Sequence, residues 1–119
     1  MGDFKKLEVW HAAHSLACEI YRRTRLFPRN EAYGLTSQLR RSAVSIAANI
    51  AEGCGRNGDV EFRRFLRISL GSATETEYHL LLARDVGLLE EFASAQLLAE
   101  AKRVQRMFVG LTQVLSNSQ

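Results

Sequence analysis

Apolar residues recur along this chain at spacings of three and four, the pattern of helices that bury one stripe of their surface. Val9, Ala13, Leu16 and Ile20 form the first stripe, with Trp10, Ala17 and Tyr21 beside it, and predict a helix over residues 4–25. Pro28 closes it, because its ring cannot continue an intrahelical ladder. After a turn at Asn30 to Gly34, a second helix is predicted over 35–52, stopped by Gly53 and Gly55. Glycine accepts the left-handed C-cap conformation without steric cost. Cys54 to Gly58 read as a loop, with Asn57 or Asp59 as the cap of a third helix over 59–86 and Glu61 in its first turn. Gly87 ends that helix. A fourth, over 90–116, opens on Glu90 and Glu91 and carries the cleanest seam: Leu97, Ala101, Val104, Phe108, Leu111 and Leu115. No segment is of low complexity beyond the polar tail Ser116 to Gln119.

Four helices with short connections predict an all-α protein, one antiparallel up-down-up-down bundle spanning residues 1–119. The middle helices do not suit a monomer. Seven of the nine residues from Ala43 to Ala51 are apolar, which leaves little solvent face. Leu80, Leu81 and Leu82 repeat the problem in the third helix. Val44, Ala47, Ala48 and Ala51, with Leu80, Leu81 and Leu82, are therefore expected to form an association surface. The competing explanation is that alanine, the best helix former, is tolerated on a surface. It does not account for the leucines.

A polar seam runs through the apolar second helix at Gln38, Ser42, Ser45, Asn49 and Glu52. The third helix carries a counterpart in Ser69, Ser72, Thr76 and His79, with Glu75 beside it. Such seams act as hydrogen-bonded tracks that fix the register of packed helices. The other reading is a channel or ligand lining.

Composition adds little until charge is mapped. The 119 residues carry 16 basic and 13 acidic side chains, a net of +3. Residues 20–67 hold ten bases against four acids, a net of +6, whereas residues 68–101 hold one base against six acids, a net of −5. Nearly every base is arginine, suited both to phosphate and to interface carboxylates. No apolar run approaches the ~18 residues of a membrane helix, and no secretory leader is evident after Met1. Cys18 and Cys54 are accordingly expected to be free thiols in the cytoplasm, with no membrane partner.

The stretch YGLTSQLRRSAVSIAANIAEGCGR, Tyr33 to Arg56, resembles the signature of the four-helix-bundle proteins related to the 23S rRNA intervening-sequence protein. The resemblance extends through Phe4 to Pro28 and Glu61 to Leu89, while the fourth helix matches only in pattern. It implies a left-handed bundle assembled as a ring, typically a homopentamer, with no assigned catalytic residues. Some such relatives are encoded in spacers that interrupt large-subunit ribosomal RNA genes. The accessory protein of diversity-generating retroelements looks similar in fold, and forms a basic pentameric barrel working with a reverse transcriptase and nucleic acid. The matching motif positions are Gln38, Arg40, Arg41, Asn49, Glu52, Gly53, Gly71, Ser72 and Glu75. Ala47 stands where relatives often have proline, which implies a straighter second helix here.

Catalytic and metal chemistry find little purchase. His11, His14 and Cys18 could share one helix face as zinc ligands, but a fourth ligand is not evident, and the expectation is no metal. A ribonuclease would need a histidine acid–base pair and an arginine on the developing phosphorane. The Arg-to-His spacing of four to six residues found in helical-bundle ribonucleases of the HEPN type does not precede His11, His14 or His79. No motif asks for a cofactor, and no enzyme is predicted. The remaining candidates are Arg22, Arg23, Arg25, Arg40 and Arg41 at one end of the bundle, and Arg63, Arg64 and Arg67 nearer the other. Multiplied by ring symmetry, they make a surface for RNA or DNA phosphates. Alternatively they pair with Glu75, Glu77, Glu90 or Glu91 of a neighbouring subunit, in a scaffold that joins copies of itself or docks another protein.

Overall fold

A computed structural model of the chain describes residues 2–117, so Ser118 and Gln119 of the polar tail lie outside the described residues. Among the described residues there are four α-helices and no strand: α1 Glu8–Thr24, α2 Leu35–Cys54, α3 Asp59–Asp85 and α4 Glu91–Asn117. The 27-residue α3 and α4 give the molecule its long axis, within extents of 47 × 22 × 19 Å.

The predicted stripes become one core. Leu16 and Ile20 of α1, Leu39, Ile46 and Ile50 of α2, Phe62, Leu66 and Leu80 of α3, and Leu97, Val104 and Phe108 of α4 are each at most 2% exposed. Ala13, Ala43, Ala73, Ala83 and Ala101 fill the spaces between them and bring the helices close. Leu80 was expected on the association surface, yet it is fully buried in this core. Successive helical residues turn by about 100°, so three consecutive leucines cannot share a face. Leu81 is half-buried and Leu82 exposed.

Helix ends depart from expectation in three places. The N-terminal segment does not join α1: Phe4–Lys6 form a separate 3-10 turn capped by Asp3, and Leu7 is extended before α1 begins at Glu8. Gly53 does not stop α2, which runs on to Cys54, and Gly55 adopts ordinary right-handed angles. A Cβ at Gly53 would lie 2.8 Å from Phe65 Cβ and 3.2 Å from Phe62 Cδ1, so this glycine permits a close helix crossing. Finally, the residue capping α3 is Gly58, at φ +85°, with neither Asn57 nor Asp59 in that role. Gly87 does take the left-handed position after α3, at φ +82°. There Leu88 N–H donates to the Ala83 carbonyl at 2.8 Å and Gly87 N–H to Arg84 at 3.1 Å, a Schellman closure. Glu90 caps α4 by accepting from Ala93 N–H at 3.1 Å.

The polar track joins α2 to α3. Ser69 Oγ donates to the Ile46 carbonyl at 2.9 Å, Ser45 and Ser72 hydroxyls meet at 2.8 Å, and Thr76 Oγ1 lies 2.9 Å from Ser42 Oγ. Partners descend along α3 as they ascend along α2, so this pair is antiparallel. The Asn49 amide donates to Ser45 Oγ at 2.9 Å, leaving the Ser45 proton for Ser72. Gln38 and Glu52, at the ends of the predicted seam, are exposed and take no part in this ladder. Glu52 instead pairs with Arg56 at 3.0 Å.

Candidate association groove and arginine surface

The 3-10 turn at the N-terminus folds Phe4 onto Trp10, with ring centroids 4.9 Å apart. This contact forms one wall of a groove of about 560 Å³ between α1 and α2. Its floor is Ala17, Ala47, Ala48 and Ala51, and Val44 and Tyr21 stand at its sides. Small residues on two adjacent helices leave the space that larger ones would fill. Val44 is 43% exposed and Ala48 is exposed, as an association surface requires, while Ala47 is mostly buried. Arg22 and Arg25 line one end of the groove.

A second apolar surface lies where the start of α2 meets the end of α3. Tyr78, Leu82 and Val86 follow one another at i, i+4 and i+8 and are 59%, 36% and 59% exposed. Leu35, Gln38 and Glu31 complete a shallow cleft of about 400 Å³ there, with buried His79 below. His79 Nε2 is 3.6 Å from Glu75, and its Nδ1 has no partner among the described residues. Burial lowers the pKa of this imidazole, and Glu75 opposes the effect.

The arginines divide by what they touch. Arg40 is a structural residue: Nε donates to Thr24 Oγ1 at 2.8 Å, and its guanidinium lies 4.5 Å from the Tyr21 ring centroid. The half-buried guanidinium is thus held against the end of α1 through Nε. Arg22 pairs with Glu19 on its own helix, and Arg23 approaches the same carboxylate at 3.9 Å. Arg64 bonds Glu61 at 2.9 and 3.2 Å, which lowers the Glu61 pKa, and lies 4.5 Å from the Phe65 ring centroid. Arg63 is half-buried. Arg25, Arg41 and Arg67 are exposed, with no carboxylate within 4.0 Å among the described residues.

Two acids considered for pairing with a neighbour are engaged within the chain. Glu77 accepts from Gln105 at 2.9 Å and pairs with Lys102 at 3.0 Å, tying α3 to α4 and lowering its own pKa. Glu90 serves as the cap already described. Glu75 and Glu91 remain exposed.

The histidine–cysteine trio does not converge. His14 Nε2 lies 3.6 Å from Cys18 Sγ while its ring stacks on Trp10, but His11 turns toward the Lys5 carbonyl at 2.6 Å. No group of three or more suitable side chains is positioned to hold a metal ion among the described residues. Cys18 and Cys54 are free, and burial raises the Cys54 pKa. No helix among the described residues is long and apolar enough to cross a membrane.

The four-helix bundle has counterparts among known proteins. Residues 5–110 match the family model described as 23S rRNA-intervening sequence protein, and the chain belongs to that family. A crystal structure of a protein with unknown function from the S23 ribosomal protein family of Bacteroides thetaiotaomicron VPI-5482 has a similar fold. Its TM-score is 0.81 at 23% identity, covering 87% of this chain and 97% of the other. Among curated proteins, none matches this chain.

Proposed function

We propose that this chain is a non-catalytic subunit of a ring-shaped homo-oligomer that binds the phosphate backbone of RNA or DNA. In this reading each subunit is a left-handed up-down-up-down bundle working in the cytoplasm, and five copies is the number implied by the family resemblance. The observation that carries the nucleic-acid part is Arg67, exposed without a carboxylate and one turn along α3 from Arg63 and Arg64. The carboxylate that pairs with Arg64 is Glu61, three residues earlier, in an exposed pair of the kind worth little and easily exchanged for phosphate. Repetition around a ring turns this short basic stretch into a multivalent surface.

The second reading is a scaffold that binds protein, and the apolar groove between α1 and α2 favours it. Titration with single- and double-stranded RNA and DNA at several salt concentrations separates the two. The nucleic-acid reading requires affinity that falls steeply with salt. An oligomer that binds neither nucleic acid at low salt overturns it and leaves the scaffold.

A further inference from the structure

The groove and the exposed α3 ridge have the shapes and charges of two halves of one contact. The ridge Tyr78–Leu82–Val86 is an i, i+4, i+8 row, the row that packs into the groove of another helix pair. No other described element covers it: Tyr78 and Val86 are each 59% exposed. The groove has a floor of alanines at Ala47, Ala48 and Ala51, and it too stands open. Their surroundings differ in sign. Arg22 and Arg25 line the groove, and Arg41 lies one turn before Val44 on α2. Beside the ridge are Glu31 and Glu75, and also Asp85, which is paired with Arg84 at 2.9 Å, so the net charge there is negative.

Their placement is equally specific. Arg40 bonded to Thr24 puts the end of α1 beside the start of α2, the level at which Arg22 and Arg25 sit. The ridge cleft contains Leu35 and Gln38, so it lies at that same end of the bundle. Both surfaces share α2, one on its α1 side and one on its α3 side, and are therefore neighbouring rather than opposite faces. A contact between two different patches is heterologous, and repetition through neighbouring faces turns instead of running straight, which allows closure.

We infer that the Tyr78–Leu82–Val86 ridge of one copy seats in the α1–α2 groove of the next. The occupant of the groove is thus a second copy of this chain, with Arg25 and Arg41 facing the acids that flank the ridge. This rests on the oligomer of the preceding section and names the contact that forms it.

The test is complementation, read by light scattering at micromolar concentration with circular dichroism as the check on folding. Ala48→Arg fills the groove and leaves the ridge intact; Leu82→Arg breaks the ridge and leaves the groove intact. Both positions are exposed, so the bundle itself tolerates the changes. Each variant alone is expected at the monomer mass of 13.4 kDa. Their equimolar mixture is expected to give a dimer and nothing larger, because one intact groove meets one intact ridge. Phe92→Ser, at an exposed position outside both surfaces, is expected to keep the wild-type mass. Variants that retain the wild-type mass, or a mixture that stays monomeric, overturn this contact while the oligomer stands. A monomeric wild-type chain overturns both.

Discussion

The Arg40 guanidinium donates from Nε to Thr24 Oγ1 at 2.8 Å, and Thr24 in turn donates to the Ile20 carbonyl at 2.7 Å. A charged side chain of α2 thus fastens the last turn of α1, and its guanidinium also lies over the Tyr21 ring. Replacing Arg40 with alanine is expected to destabilise the fold by about 1–2 kcal/mol, the worth of one charge-assisted bond and one stacked cation. Lysine should recover little, because it lacks the planar fork. Urea unfolding of the three proteins measures this. A variant as stable as wild type would show the contact to be incidental.

Glycines at two helical positions should respond in opposite directions. Gly53→Ala must push α2 away from Phe62 and Phe65, since the new methyl would sit 2.8 Å from Phe65 Cβ. The expected loss is about 1–3 kcal/mol, net of the better helix propensity of alanine. Gly71 has open space where a Cβ would go, so Gly71→Ala should stabilise by up to about 1 kcal/mol. Thermal denaturation of the pair decides it, and equal shifts of the same sign would contradict the close crossing.

The hydroxyl track makes a third prediction. Thr76 is fully buried and bonds both Ser42 Oγ and the Ser72 carbonyl, at 2.9 and 2.8 Å. Thr76→Val keeps the shape but removes the hydroxyl, leaving Ser42 with its weaker 3.2 Å bond to Leu39. A destabilisation of about 1–3 kcal/mol is expected from denaturant titration. No change would mean that the track sets register without contributing to stability.

How much of this was legible in the sequence depended on whether a residue's role was local. The seam of α4 and the serines of the track were visible because helical period alone places them on a face, and Ser45 does meet Ser72. The role of Gly53 is not legible, because a glycine that ends a helix and one that admits a neighbouring helix look the same in one dimension. The structural contact of Arg40 is not legible in the sequence, because its partner, Thr24, lies sixteen residues away and only packing brings them together. Leu80 was placed outside because an apolar run says how much surface is apolar and not which third of it faces inward. The groove was half visible: its alanines were singled out, but not Phe4 and Trp10, whose wall depends on a 3-10 turn that the pattern merged into α1.

Two titrating groups give stability opposite dependences on pH. Burial raises the Glu100 pKa, Glu19 adds to the shift and Arg103 opposes it, while Oε2 has no partner among the described residues. A raised carboxyl binds its proton more tightly when folded. Its contribution is fully present below the ordinary value of 4.5 and is lost as pH rises through the folded value. Glu100→Gln should therefore raise the melting temperature at pH 7 and have little effect at pH 4. His79 is lowered, chiefly by burial, so its contribution is present above 6.5 and lost as pH falls through the folded value. Melting curves from pH 4 to 8 for wild type and Glu100→Gln show whether the loss of stability with rising pH disappears in the variant; an unchanged difference across that range would refute the assignment to Glu100.

Arg67 offers the sharpest reading of the basic stretch, because it is exposed and carries no carboxylate that a substitution would strand. Each phosphate neutralised by a cation releases condensed counterions, so log K falls with log salt by about 0.9 per contact on duplex DNA and about 0.7 on single strands. Arg67→Ala should weaken binding to every sequence alike and reduce the slope by about that amount per copy in contact. Arg40→Ala should leave the slope unchanged, since that guanidinium is already bonded to Thr24 within the bundle. Arg64→Ala should fall between, because Glu61 already competes with phosphate for that guanidinium and so reduces what Arg64 contributes. A slope that responds equally to Arg40 and Arg67 would mean that binding follows bundle stability rather than phosphate contact at α3.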